Sequence, residues 1–85
     1  MQETINETVS VIASYQRETG RVMPRKIRWR DRDYLIKQLT YYHRIRAGRT
    51  LSHVFHVTDG QTDFRLRLNS DTLGWTLEEI CDGQP

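Results

Sequence analysis

The chain contains a single cysteine, Cys81, among its 85 residues. One thiol cannot form an internal disulfide, and it excludes a metal site built from several cysteines. Long hydrophobic runs are also missing, since no segment approaches the ~20 consecutive apolar residues of a membrane-spanning helix, and no signal-peptide core is visible. We therefore expect a cytoplasmic protein with no membrane partner.

A chain of 85 residues holds one domain, and its hydrophobic content of 36% suffices for one small core. We predict a single domain over residues 1–85, folded over residues 8–81. The ends, residues 1–7 and 82–85, are predicted to fray, because polar termini are poorly held unless a sheet pairs them.

Charge is distributed unevenly along the chain, although the net charge is only +2. Ten basic residues face two acids over residues 21–49, a local charge of +8, whereas residues 50–85 carry −4. Eleven of the thirteen basic residues are Arg, whose planar guanidinium suits phosphates, carboxylates and aromatic rings. Pairing of the basic middle with the acidic end inside one sheet explains the same pattern equally well.

Apolar and polar side chains alternate with a period of two through most of the chain, as in strands with one buried face. This pattern predicts an all-β fold of about six antiparallel strands in meander order, forming a curled sheet or a half-open small barrel. Asp59 and Gly60 predict a two-residue hairpin turn, because such a turn needs positive φ at both positions. That turn sets three opposing pairs: Phe55 with Phe64, Val57 with Thr62, and His56 with Asp63.

Pairing of Leu68 with Trp75 in the last hairpin would place Arg65 opposite Glu78 as a surface ion pair. The inward-facing positions of the strands together define a predicted core. Its members are Val11, Ile27, Trp29, Tyr34, Ile36, Leu39, Phe55, Val57, Phe64, Leu66, Leu68, Trp75 and Leu77.

Residues 34–46 are ambiguous. Leu35, Leu39 and Tyr42 have helical spacing, so an α+β fold with a helix at 34–46 is the alternative. Aromatic and β-branched residues dominate the stretch and favour a strand. We predict one long strand with a bulge near residues 38–41, because a strand of this length must bend to serve two parts of a curled sheet.

The segments "VSVIASYQRETG", "PRKIRWRDRDYLI", "HVFHVTDG", "DFRLRL" and "GWTLEEICD", in that order, resemble a small prokaryotic all-β domain of unknown function. That domain occurs as short stand-alone bacterial proteins and as the C-terminal module of catalytically inactive proteins related to Y-family DNA polymerases. Tyr41 or Tyr42 stands where the family usually has a Trp. The resemblance implies an antiparallel curled sheet without established catalytic residues, and it associates the chain with DNA damage tolerance only by analogy.

The three histidines do not predict a catalytic or metal site. His53 and His56 are three residues apart on a strand, so they point to opposite faces and cannot share an ion. A contact between His56 and Asp63 could orient a general base, but no nucleophile accompanies it. We therefore predict no enzyme activity, no cofactor and no metal.

The strongest functional signal is the interleaving of basic and aromatic residues over residues 25–49, because cations neutralise phosphates and rings stack on bases. The candidate nucleic-acid-binding residues are Lys26, Arg28, Arg30, Lys37, Arg44, Arg46 and Arg49. A solvated face of a stable sheet would show the same stripe.

Two functions follow from these patterns. The first is a non-enzymatic accessory module that binds a protein partner or a second copy of itself through a sheet edge, since edges must be paired or covered. Such edges lie at the first and last strands or wherever closure fails. The alternative is a module that contacts nucleic acid through residues 25–49.

Overall fold

The computed structural model describes residues 2–82, which form seven strands and contain no helix, so none of these residues spans a membrane as a helix. The strands are β1 (Gln2–Gln16), β2 (Arg21–Trp29), β3 (Arg32–Leu35), β4 (Gln38–Ala47), β5 (Thr50–Thr58), β6 (Thr62–Asn69) and β7 (Trp75–Asp82). The all-β prediction is confirmed, with seven strands where about six were predicted.

The seven strands form one antiparallel sheet in the order β3-β2-β1-β7-β6-β5-β4. Successive strands are neighbours, except that β3 and β4 do not pair and β1 pairs with β7. The sheet edges therefore lie where closure fails, at β3 and β4, and the first and last strands lie inside the sheet.

Strands β3 and β4 are two halves of one bent segment. Consecutive amides at the bend bond to strands near the two edges, since Ile36 N donates to Arg25 O at 2.9 Å and Lys37 N donates to Thr58 O at 2.8 Å. A register shift between Leu39 and Tyr41 marks a bulge, within the predicted residues 38–41. The helical alternative for residues 34–46 is wrong, because both halves of this segment form ladders with neighbouring strands.

The sheet curls around its core. The ring of Tyr34 on β3 packs edge-on against Phe64 on β6, with centroids 5.3 Å apart, although three strands separate them in the sheet. All thirteen predicted core residues belong to the resulting cluster, seven buried and six partly buried. Val9 is buried there too, and Ile5, Tyr42 and Ile80 pack against it, which the prediction missed.

The predicted register of the β5–β6 hairpin is wrong by two residues. Val57 pairs with Phe64 and Phe55 with Leu66, because four residues, 59–62, lie between the last paired residues, Thr58 and Asp63. The side chain of Asp59 accepts hydrogen bonds from two amides of this connection, at 2.8 and 2.9 Å, which holds the longer turn. A shift of two preserves the faces, so the core prediction is unaffected.

The two ends of the chain differ from the predicted frayed segments. Residues 2–4 pair with Glu79, Ile80 and Cys81, which extends β1 along β7, and Asp82 pairs with Thr62. Residues 1 and 83–85 of the predicted frayed segments lie outside the described residues.

The β5–β6 connection depends on Gly60, whose φ is 101°. We expect Gly60→Ala to lower the free energy of unfolding by about 1–2 kcal/mol, because L-residues are strained at this φ. A Cβ at this position would meet the Lys37 side chain at 3.5 Å, an ordinary contact, so the effect is one of backbone conformation. Urea denaturation measures it, with Gln61→Ala as the control, expected within about 0.5 kcal/mol of wild type. Equal stabilities of the two variants would contradict this account of the turn.

Candidate interaction site

The sheet has an open seam between β2 and β4. Strand β3 covers only the end of β2 from Lys26 onward, and the last bond on that side reaches Arg25. Among residues 2–82, no strand pairs with residues 21–24 of β2 on that side, or with β4 on the side away from β5. Both edges line one groove of about 580 Å³, which we call the seam groove.

The seam groove has an apolar floor and a basic rim. Phe55 and Leu68 are buried core residues that reach its floor, together with the half-buried Leu39. Arg21 and Arg44 are exposed and line the rim from opposite edges. None of the described residues that line the groove is acidic, so no carboxylate among them offsets the positive charge of its rim.

Tyr42 is the central polar group of the seam groove. Its hydroxyl hydrogen-bonds His53 Nδ1 at 2.5 Å, and the two rings are nearly parallel, at 14° with centroids 5.9 Å apart. Arg21 reaches across from β2, with its Cζ 5.9 Å from the Tyr42 ring centroid. Cation–π contacts of this kind hold an Arg weakly at exposed sites, so Arg21 can exchange this contact for a ligand.

The structure divides the seven predicted nucleic-acid-binding residues into two groups. In the first group, Lys26 and Arg28 pair with Asp33 at 3.6 and 3.2 Å. Arg30 pairs with Glu7 at 2.7 Å. Their charges are therefore partly neutralised within the fold.

Arg30 does not lie on β2, which ends at Trp29. It lies in the β2–β3 turn with φ 51°, and its guanidinium stacks over the Trp29 ring at 4.5 Å. A hydrogen bond from Arg30 lowers the pKa of Glu7 below its ordinary value, and a hydrogen bond from the Trp29 indole lowers it further. Arg30 thus serves local structure, as part of the contact between β1 and the turn.

The second group consists of Lys37, Arg44, Arg46 and Arg49, which are exposed and form no ion pair with any of residues 2–82. Lys37 extends beside Gly60 at the bend. Arg44 lines the seam groove, while Arg46 continues along β4 and Arg49 lies in the β4–β5 turn.

Sequence reasoning missed Arg21 and Tyr42 as members of one site. Both belong to the basic and aromatic middle of the chain, but they are 21 positions apart on strands that do not pair. Only the position of the open seam brings them together. A pattern along the chain does not specify where a sheet fails to close.

The opposite, convex face of β4 and β5 carries a second cluster, formed by Tyr41, His43 and His56. Their ring centroids lie 5.2 to 5.5 Å apart. Val54 is fully buried on this face, between His43 on β4 and Arg67 on β6. Two imidazole atoms in the cluster, His43 Nδ1 and His56 Nε2, are buried without a hydrogen-bond partner.

Arginine and glutamate side chains cover the neighbouring strands β6 and β7. A bulge places Arg65 opposite Glu79 instead of the predicted Glu78, but Arg65 contacts both, at 3.6 and 3.0 Å. Its Nε faces Glu78 Oε1 without the alignment of a hydrogen bond, so this contact is a purely ionic one. Arg67 binds the second Glu78 oxygen at 3.1 Å.

The predicted pairing of His56 with Asp63 is wrong, because His56 pairs with Arg65. His56 and Asp63 nevertheless both line a shallow depression of about 360 Å³, and Cys81 lines it too. His56 Nε2 has no partner there, and the Cys81 thiol donates to the Asp82 carbonyl oxygen at 3.8 Å. Among the described residues, no three His, Cys, Asp or Glu side chains converge as a metal site would require. The depression brings reactive residue types near each other without the contacts of a dyad.

Comparison of the chain with protein-family models, curated proteins and solved structures finds no match. The resemblance to the small prokaryotic all-β domain therefore stays a prediction, and the site is interpreted from its own geometry.

The convex cluster predicts a pH-dependent stability. Burial lowers the pKa of His56 below its ordinary value, and the charges of Arg65 and His43 lower it further, whereas Glu79 and Glu78 raise it. The folded protein then binds fewer protons than the unfolded chain below about pH 6.5, so stability is complete above that pH and falls as the pH drops through the folded pKa.

We expect urea midpoints to fall between pH 7.5 and 5.5, and His56→Gln to reduce that fall because the variant has no imidazole to protonate there. Midpoints at pH 8, where the imidazole is neutral in both states, provide the reference for each protein. An undiminished fall in the variant would rule out His56 as its source.

Proposed function

We propose that this protein is a non-catalytic binding module that accepts an extended polypeptide along the free edge of β4. One observation carries the proposal: among residues 2–82, β4 has no neighbour on the side facing the seam groove. An unpaired edge presents a row of amides and carbonyls, and another chain can satisfy them by adding a strand.

The side chains around β4 support the same function. Tyr41 and Ile45 are exposed large hydrophobics on the convex side of this strand, at 59% and 39%. Leu39 and Tyr42 lie on the groove side. An added strand would therefore find apolar surface on both faces, and alternate side chains of the strand would use it.

The partner can be another protein or a second copy of this chain. In either case the main chain supplies the hydrogen bonds, while side chains set the specificity. Proline residues and bulges prevent other chains from pairing with an edge strand. Strand β4 contains no Pro and no bulge after Tyr41. Arg44 and Arg46 are the groups on it that discourage association of identical edges, because they place positive charge there.

Strand addition predicts a specific pattern of backbone dependence. A library of displayed random heptapeptides would first be selected on the protein, and the amide chemical shifts of the protein would then be followed with each synthetic peptide. We expect shifts along residues 41–47. Each peptide is then made in two versions, N-methylated at odd or at even positions. Only one edge of an added strand faces β4, so one version should lose binding and the other should keep it. Equal binding of both versions, or shifts confined to other strands, would overturn the proposal.

Single-stranded nucleic acid is the second candidate ligand. Tyr42 lies with Arg21 and Arg44 in the seam groove, and the three further cations of the second group form no ion pair within the described part of the chain. Stacking of bases on rings beside unpaired cations is the usual mode of single-strand binding.

A salt titration with oligothymidylate tests this second candidate. We expect the affinity to fall with salt and to fall at least tenfold in Arg44→Glu/Arg46→Glu, since phosphate contacts dominate such binding. The matched control is Arg28→Glu/Arg30→Glu, whose arginines already pair with carboxylates and which should change the affinity much less. No binding at 20 mM salt, or equal effects of the two double variants, would exclude the seam groove as a nucleic-acid site.

A further inference from the structure

The charge and shape of the seam groove define the chemistry of the chain that fits it. The groove is bounded by two unpaired strand edges, residues 21–24 of β2 and the groove side of β4, and both contribute side chains to its wall. Its closed end is the bend at Ile36 and Lys37, where the chain itself crosses from one edge to the other. Among residues 2–82, no strand fills the space between these two edges, and the groove occupies that space.

The two edges are not equivalent. The free edge of β2 is limited to residues 21–24, whereas β4 has no outer neighbour among residues 2–82 along its full length, Gln38–Ala47. Strand β4 contains no proline and can donate at each position that faces the groove. An inserted chain is therefore held mainly by β4.

Side-chain chemistry distinguishes between partners. In an extended chain, alternate side chains point to opposite sides, so one set would lie on the floor made by Leu39, Phe55 and Leu68. Arg44 lies on the same face of β4 as Tyr42, and Arg21 reaches the Tyr42 ring. Side chains of this same set would therefore also meet the rim, where both arginines carry charges that no carboxylate among the described groove residues neutralises. Guanidinium groups bind carboxylates through paired hydrogen bonds, which are stronger than neutral ones. A partner with both apolar and acidic residues among its groove-facing positions satisfies the floor and the rim at once.

We propose that the ligand of the seam groove is an extended acidic peptide segment, paired along β4, with apolar side chains on the groove floor and carboxylates on Arg21 and Arg44. This inference rests on the proposed function, which it narrows to one class of partner. Arg21 gives up its contact with the Tyr42 ring for a carboxylate as the chain enters. The Tyr42 hydroxyl keeps its hydrogen bond with His53 Nδ1.

The test compares three fluorescent hexapeptides that present one valine and two variable residues on the same face: Glu-Thr-Val-Thr-Glu-Thr, Lys-Thr-Val-Thr-Lys-Thr and Thr-Thr-Val-Thr-Thr-Thr. Anisotropy at low salt should show the acidic peptide binding at least tenfold more tightly than the lysine peptide, with the threonine peptide between them. Replacing either rim arginine, as Arg21→Ala or Arg44→Ala, should weaken the acidic peptide several-fold. The control Arg28→Ala removes another exposed arginine, one that pairs with Asp33 and does not line the groove, and it should leave the affinity unchanged.

Charge reversal makes the test decisive. In Arg21→Glu/Arg44→Glu the preference should invert, so that the lysine peptide binds more tightly than the acidic one. Far-ultraviolet circular dichroism and the urea midpoint establish that the variant is folded.

The outcomes separate the two proposals. If the three peptides bind equally and shift the amides of residues 41–47, the protein adds strands without regard to charge, and the acidic partner is rejected while the proposed function stands. If no peptide shifts those amides, the proposed function itself fails. If oligothymidylate displaces the acidic peptide and binds more tightly with the same dependence on Arg21 and Arg44, the occupant is a nucleic acid and this inference is overturned.

Discussion

The hydrogen bonds of two consecutive residues determine the shape of this molecule. Ile36 bonds to the β2 side of the sheet and Lys37 to the β5 side. One backbone bend therefore draws the two ends of a seven-stranded sheet toward each other, encloses the core, and leaves the ladder unfinished beyond the bend. The seam groove is the direct product of this geometry, because β3 is only four residues long and stops covering β2 where the bend begins.

Apolar residues are buried in different ways on the concave and convex faces of the sheet. On the concave face, apolar side chains fill the space between strands, and eight buried and nine partly buried side chains meet there from all parts of the sheet. The convex face has no second layer of structure among the described residues, yet Val54 is fully buried there. Long side chains provide its cover: Arg67 on one side and the His43 ring on the other, with arginine–glutamate pairs continuing across β6 and β7. Arginine stems are well suited to this role, since their methylene groups cover apolar surface while the charge stays in water.

The period-two pattern predicted the faces of the strands, and therefore the core, because a buried face constrains every second residue. It also predicted the bend and bulge within residues 34–46, since a strand of that length cannot remain straight in a small domain. The turn between β5 and β6 was predicted by residue type but not by length, as the Asp59 side chain stabilises a longer connection than Asp-Gly alone implies. The basic stripe was the least predictable feature. Arg28 forms an ion pair with Asp33, and Arg30 forms one with Glu7. Arg44 forms none with residues 2–82. Local sequence cannot show this difference, because the ion pairs depend on turn geometry and on pairing between distant strands.

The ladder between β1 and β7 has a consequence for how the chain reaches this structure. It joins residues separated by 66 to 79 positions, from Val9 with Trp75 to Gln2 with Cys81, whereas the other ladders connect strands that follow each other in sequence. Closing so large a loop restricts the chain's freedom before any contact compensates for it, and non-local pairing slows folding for that reason. We therefore expect the hairpins to form first and the joining of β1 to β7 to be the slow step of folding.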